Sequence, residues 1–85
     1  MNTRTMLRDV ACYFARKKEI HCVYLFGSFA AGNAKADSDL DLGVVLRETV
    51  AQSRYTGLRL DYSVSVEKIS RKTPDILILN GADTF

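Results

Sequence analysis

Two apolar stretches of strand length, separated by a short polar segment, constrain this fold more than any other feature of the sequence. The stretches are Ile20–Phe26 and Leu40–Leu46. The segment between them is rich in glycine, serine, asparagine and aspartate, which are residues that favour turns. The pattern predicts a strand, a tight loop over residues 27–36 with one helical turn after Ser28, and a second strand over residues 39–46.

Asp39 and Asp41 stand where the second strand is predicted to begin. Residues two apart in a strand point to the same face, so these carboxylates share one side while Leu40 and Leu42 point toward a core. Carboxylates about 4 Å apart repel by roughly 4 kcal/mol at an effective dielectric constant near 20. Spreading into water, protonating one of them or binding a cation relieves this repulsion. Hard oxygen ligands suit Mg²⁺, which substrate phosphates often complete, so the pair predicts a magnesium site, with a solvated strand end as the alternative.

Gly27 and Ser28 form a candidate phosphate site beside this pair. Gly27 has no Cβ, so the backbone can bend sharply there and approach a ligand closely. Ser28 offers a hydroxyl and opens a short segment whose free N–H groups can face an anion. Gly43, on the predicted aspartate face, leaves room for something to approach. Residues 27–41 can therefore hold a nucleoside triphosphate, with its phosphates at the bend and a metal at the aspartates.

These residues resemble a known signature, that of the polymerase-beta-type nucleotidyltransferases. The match is the glycine–serine pair at positions 27–28, ten intervening residues, and then Asp39-x-Asp41. The shortness of the chain and the run Ser-Asp-Leu-Asp-Leu at positions 38–42 are similar to the minimal nucleotidyltransferases, which are commonly antitoxin partners of HEPN-type toxins. One difference is Ala31, which stands where the family often has arginine and removes a phosphate contact.

The remaining pattern alternates between helix and strand. Apolar spacing predicts an amphipathic helix over residues 3–18, with Asn2 or Thr3 as its N-cap. Residues 54–71 fit both an alternating strand and a helical stripe. Their length favours a helix, as does the need for a crossover before another strand.

A short apolar strand over residues 75–79 follows Pro74, which is tolerated at the first position of a strand. Residues 82–85 are predicted to begin another helix. The order predicts an α/β (α+β) fold, a mixed three-stranded sheet with flanking helices of the polymerase-beta-like type. We assign residues 1–85 to a single domain; because the family usually continues with another helix, the resemblance implies a short form or a fragment.

A third carboxylate is expected, because two-metal transfer usually needs one to hold the catalytic cation and to help deprotonate the acceptor. The candidates are Asp61 and Asp75. If the crossover helix makes the second and third strands parallel, Asp75 begins its strand at the same end of the sheet as Asp39 and Asp41. Asp61 would lie in the helical layer instead. The resemblance also points to Asp75, since residues 74–80 are similar to the family's third-acid strand.

The resemblance implies a reaction, the transfer of AMP from ATP to a hydroxyl with release of pyrophosphate. Asp39 and Asp41 would bridge two Mg²⁺ ions, Asp75 would bind the catalytic ion, and Gly27 and Ser28 would hold the β- and γ-phosphates. The implied acceptor is a tyrosine of a cognate HEPN toxin. A non-catalytic antitoxin that acts by binding is the alternative, as is transfer to RNA or to a small molecule such as an aminoglycoside.

Composition bounds the partners and the location. With 85 residues, 47% of them hydrophobic and 26% charged, the chain has the make-up of a one-domain globular protein. A net charge of +2 disfavours nucleic acid and membrane surfaces as partners, and no stretch reaches the roughly 20 apolar residues of a membrane span. Cys12 and Cys22 lack metal-ligand spacing and are predicted to be reduced thiols in the core of a cytoplasmic protein. Homo- and hetero-oligomers are both compatible with the sequence.

Overall fold

The computed structural model describes residues 2–35 and 37–81, which form one mixed sheet and its helices. The order agrees with the order predicted from the sequence. The predicted helical turn after Ser28 is a separate short helix. The elements are α1 (Thr3–Ala15), β1 (Ile20–Phe26), α2 (Gly27–Ala31), β2 (Leu40–Leu46), a 3₁₀ turn (Gln52–Arg54), α3 (Tyr55–Ser70) and β3 (Pro74–Ile78).

The sheet has the strand order β1-β2-β3. β1 and β2 are antiparallel neighbours, with Leu25 opposite Leu42. β2 and β3 run parallel, joined through α3 as a crossover, which confirms the prediction for these two strands. Residues 82–85, predicted to begin a helix, lie outside the described residues.

A register shift in β1 sets which of its side chains face the core. Ile20 pairs with Leu46 and Cys22 pairs with Val45, so His21 is an extra residue on the β1 side. Such a bulge reverses the alternation of faces at one point. Ile20 is therefore buried together with the core residues of β2, although it lies two positions from the outward Cys22.

The core lies between one face of the sheet and the helices α1 and α3. On α3 the buried residues recur every four positions, as on one face of a helix: they are Leu58, Tyr62, Val66 and Ser70. Leu60 and Val64, which gave this segment its strand-like alternation, are exposed by 56% and 54%. The helix prediction for residues 54–71 is thus confirmed, because the helical period is the one that is buried.

β1 has the predicted ends, α1 begins and β2 ends where predicted, whereas the other predicted ends of helices and strands differ from the observed ones by one to three residues. Asn2 is the N-cap of α1: its Oδ1 accepts a hydrogen bond from the N–H of Thr5 at 2.8 Å. α1 ends at Ala15 rather than at residue 18, because the N–H groups of the following residues turn back onto the last carbonyls before β1 begins. Among the described residues, no helix is long and apolar enough to cross a membrane. Cys12 and Cys22 are both free thiols, but neither lies in the core as predicted: Cys12 is exposed and Cys22 is half-buried. Cys22 pairs with Val45, on the side of the sheet that faces away from the helices, and an apolar run alone does not indicate which side a residue takes.

A buried polar contact joins α3 to the turn before β1. The hydroxyl of Tyr62 donates a hydrogen bond of 2.6 Å to Oε2 of Glu19. Burial alone would raise the pKa of Glu19, but this hydrogen bond and the nearby cations Lys17 and Arg54 stabilise the carboxylate, so its pKa is lowered. Burial and the same hydrogen bond raise the pKa of Tyr62. The pair therefore favours a neutral tyrosine and an ionised glutamate.

Candidate nucleotide-binding site

The glycine–serine bend is the point where β1 passes directly into α2. Gly27 has φ of 72°, in the left-handed region, and the helix begins at the same residue. Phe29, two positions further, is buried in the core and anchors the five-residue helix. Gly32 ends the helix with φ of 80°. Two left-handed glycines thus bracket a single turn of helix, which explains why the sequence needs glycine at both positions.

Asp41 lies against this bend. The register of β1 and β2 places Phe26 opposite Asp41, so the residue after Phe26 comes next to the aspartate side chain. A Cβ atom built on Gly27 would overlap Oδ2 of Asp41 and would stand 3.3 Å from its Cγ. The carboxylate therefore occupies the space that any side chain at position 27 would fill. This contact joins the two halves of the motif, which are far apart in sequence.

Asp75 is the partner of Asp41 in the parallel pair of β2 and β3. Neighbouring residues in register point to the same face of a sheet, so these two carboxylates lie side by side. Asp39 comes two positions before Asp41, just outside β2, and is exposed, as is Asp75, whereas Asp41 is half-buried. Asp61 is an exposed residue of α3, in the helical layer on the opposite side of the sheet. The structure thus pairs Asp41 with Asp75 and separates both from Asp61.

Backbone hydrogen bonds hold the ends of the strands that carry the acids. Before β2, the N–H of Lys35 donates to the hydroxyl of Ser38, and the N–H of Ser38 donates back to the carbonyl of Lys35. The N–H of Leu40 donates to the carbonyl of Thr73, the residue before β3, at 3.0 Å. The entry to β2 is therefore fixed against the entry to β3. Thr73 gave no signal in the sequence, because its contribution is a backbone carbonyl.

The donor chemistry suits Mg²⁺, since Asp39, Asp41 and Asp75 supply only hard carboxylate oxygens. The positions of Asp41 and Asp75 also fit, because they are adjacent across β2 and β3. No group of three or more histidine, cysteine, aspartate or glutamate side chains stands ready to hold a metal ion within residues 2–35 and 37–81. A site formed by all three carboxylates therefore stays a prediction.

The sheet face that carries Asp41 is open and partly apolar. Tyr24, Phe26 and Leu77 are 48%, 45% and 59% exposed, and the rings of Tyr24 and Phe26 stack with centroids 6.3 Å apart. The space above Gly43 is filled, contrary to the prediction that it admits a ligand. A Cβ on Gly43 would lie 2.6 Å from Cε2 of Phe26 and 2.8 Å from a methyl carbon of Leu79. Gly43 is needed because these two side chains close over it.

Two lysines near α2 were not identified from the sequence. Lys35 and Lys72 line a recess of about 310 Å³ that also includes Phe29, and the Lys72 ammonium lies 5.9 Å from the centre of the Phe29 ring. They place positive charge beside the helix that follows the bend. An isolated lysine carries no pattern, so only the fold could associate these two.

Comparisons with known proteins identify the family. The sequence profile described as "Polymerase beta, Nucleotidyltransferase" matches residues 8–85. No curated protein matches the sequence. A solved structure described as "Crystal structure of the toxin-antitoxin with AMP-PNP" has the same fold, with a TM-score of 0.67 and 19% sequence identity. The alignment covers 98% of this chain and 62% of that one. The profile spans nearly the whole sequence, including the bend and all three aspartates, and the chain therefore belongs to the polymerase beta nucleotidyltransferase family.

Proposed function

We propose that this protein transfers AMP from ATP to a hydroxyl group and releases pyrophosphate. The observation that carries the proposal is the packing of the Asp41 carboxylate against Gly27, with Asp75 in register beside it. This packing puts a candidate phosphate site and a pair of carboxylates within one nucleotide's reach of each other. Family membership supports the same reaction class.

Each residue of the site has a separate role in this proposal. Gly27 and Ser28 hold the β- and γ-phosphates through the N–H groups at the start of α2 and the serine hydroxyl. Asp39, Asp41 and Asp75 would hold the two Mg²⁺ ions of this proposal through their carboxylate oxygens. Bound Mg²⁺ neutralises the charge that builds on the phosphoryl and leaving oxygens.

Asp75 also orients the acceptor hydroxyl and takes up its proton. The acceptor oxygen forms a bond to the α-phosphorus as the bond from that phosphorus to the pyrophosphate oxygen breaks. The electron pair of the broken bond leaves with pyrophosphate, and the acceptor keeps the AMP. Asp75 stands at the exposed start of β3, where an acceptor from outside can approach it.

The acceptor in this proposal is a tyrosine of a HEPN-type toxin, and the protein acts as the antitoxin of that pair in the cytoplasm. The similar solved structure is a toxin–antitoxin complex with an ATP analogue, which supports a toxin partner and ATP as the donor. Free thiols at both cysteines fit a reducing compartment.

The test incubates the protein with labelled ATP, Mg²⁺ and the toxin encoded beside it. We expect label on the toxin and its loss in Asp41→Asn and Asp75→Asn, each by at least about a hundredfold. Asp61→Asn is the matched control, because it removes one carboxylate from the exposed side of α3. Equal activity of Asp61→Asn and Asp75→Asn would contradict the assignment of the third acid.

A second function is antitoxin action by binding alone. It is favoured by Ala31, which stands where the family often has arginine and therefore lacks a phosphate contact. The same experiment separates the two functions. A toxin that is neutralised without gaining label, and that is neutralised equally by Asp41→Asn, identifies a binding protein.

A further inference from the structure

A large apolar groove runs between α1 and β1, on the helical side of the sheet and away from the open face that carries Asp41 and Asp75. Its volume is about 800 Å³. One wall is the α1 face that includes Leu7, Ala11 and Phe14, and the other includes Val23 and Leu25 of β1. The residues on α1 recur every three to four positions, so the wall continues for about two turns of helix.

The groove is an opening in the helical layer. The β2 residues below the helices are buried, with Val44 at 0% and Leu46 at 1% exposed. Val23 and Leu25 on the same face of the sheet are only half-buried, and so is Leu7 on the helix opposite. Helix α1 therefore leaves the β1 edge of the apolar face incompletely covered.

Positive charge surrounds one end of this groove. Lys17, Lys18 and Arg47 line it, and no aspartate or glutamate is among the described residues that do so. Nε of Arg47 donates a hydrogen bond of 2.7 Å to the carbonyl of Lys18, which ties the end of β2 to the turn after α1. An apolar trough with a cationic end matches a ligand that is apolar along its length and acidic at one end.

We infer that this groove binds an amphipathic helix of a partner protein, with its apolar stripe on α1 and β1 and its acidic end on Lys18 and Arg47. A helix places large side chains on one face at intervals of three and four residues, which suits a trough walled by another helix. A second copy of this chain fits poorly. Among the described residues, its exposed large apolar side chains are Leu60 and Val64 on α3, too few to fill the groove, and Tyr24, Phe26 and Leu77 on the open face of the sheet, which form no helical stripe.

The test uses a defined probe, a fluorescein-labelled amphipathic peptide of about 16 residues, with leucines on one face and glutamates at one end. Fluorescence anisotropy measures its binding to the full chain. We expect the glutamate peptide to bind saturably. A control peptide with lysines in place of the glutamates should bind with a Kd about tenfold higher. Mapping by amide chemical shifts should place the peptide at Ala11 and Val23.

Two matched pairs of variants localise the binding. Ala11→Trp fills the groove and should weaken binding at least about tenfold, whereas Cys12→Trp, the next residue but on a different face of α1, should change it less than about twofold. Lys18→Glu should weaken binding and Arg16→Glu, which lies outside the groove, should not. Circular dichroism confirms that each variant is folded.

Three results would overturn the inference. The first is that the glutamate peptide does not bind, and the second is that the glutamate and lysine peptides bind with equal affinity. The third is that Ala11→Trp and Cys12→Trp weaken peptide binding equally. A concentration-dependent dimer that Ala11→Trp abolishes would instead identify a second copy as the occupant. None of these readouts depends on nucleotidyl transfer, and Asp41→Asn should bind the peptide normally.

Discussion

Substituting alanine for Gly27 tests whether the bend and the carboxylate act as one unit. Gly27 has φ of 72°, a region that costs a non-glycine residue about 1–2 kcal/mol. The new Cβ would also overlap Oδ2 of Asp41, so the aspartate must leave its position, at a further cost of about 0.5–1.5 kcal/mol if it moves off its rotamer. We expect Gly27→Ala to lower the free energy of unfolding by the sum of the two costs, about 1.5–3.5 kcal/mol.

Gly27→Ala should also lower the activity of the molecules that remain folded. Displacing Asp41 by about 1 Å from its place beside Asp75 is enough to lower a transfer rate roughly a hundredfold. Urea denaturation measures the effect on stability, and incorporation of label from ATP into the toxin measures the effect on activity. Both are read under conditions where the variant is folded.

Gly32→Ala is the matched control, because Gly32 has φ of 80° but no described atom beyond its chain neighbours within 4 Å of the place that a Cβ would take. It should lose only the backbone contribution, about 1–2 kcal/mol, and keep its activity. In an Asp41→Ala background, Gly27→Ala should cost no more than Gly32→Ala, because the overlapping oxygen is gone. The reasoning would be refuted if Gly27→Ala and Gly32→Ala, each made in the parent protein, lowered the free energy of unfolding equally and both variants kept their transfer activity.

Three further predictions concern the framework around the site. Tyr62→Phe removes the hydrogen bond to Glu19 and should lower the free energy of unfolding by about 1–2 kcal/mol at neutral pH. Because folding lowers the pKa of Glu19, the ionised carboxylate stabilises the fold fully above its ordinary pKa of 4.5. The difference in free energy of unfolding between the parent and Tyr62→Phe should therefore shrink as the pH falls through the lowered pKa. The Asn80 side chain accepts a hydrogen bond from the N–H of Leu46 at 2.7 Å and donates one to its carbonyl at 2.8 Å, so Asn80→Ala should lower the free energy of unfolding by about 1–3 kcal/mol in urea. Asn80→Asp should lower it at least as much, because a carboxylate oxygen then faces that carbonyl. Gly57→Ala, in α3 with open space at the Cβ position, should raise the free energy of unfolding by about 0.5–1 kcal/mol, and an unchanged or lower melting temperature would contradict this.

The sequence pattern was sufficient to predict an element wherever its apolar residues followed one clear pattern. The strands β1 and β2 followed from two apolar runs, and the shared face of Asp41 and Gly43 followed from strand alternation. The crossover helix α3 predicted a parallel β3, which brought Asp75 beside Asp41. The prediction succeeded because connection length limits the topologies that a short chain can form.

Pattern failed where a side chain from a distant segment decided the outcome. From the sequence, Gly43 was predicted to leave room for a ligand, but the side chains of Phe26 and Leu79 fill the space beside it. The bulge at His21 turns Ile20 toward the core. It could not be predicted from the sequence, because nearly all residues of this strand are apolar and fit either face of the sheet.

The sequence by itself determined the order of the elements, the faces of the strands and the positions of the carboxylates along the chain, because helix and strand periods are properties of neighbouring residues. Only the tertiary structure decided that the Asp41 carboxylate rests on Gly27, and that α1 leaves a groove along β1. Those features depend on how surfaces from separate elements pack. Packing is set by the shapes of side chains that meet only after the chain has folded.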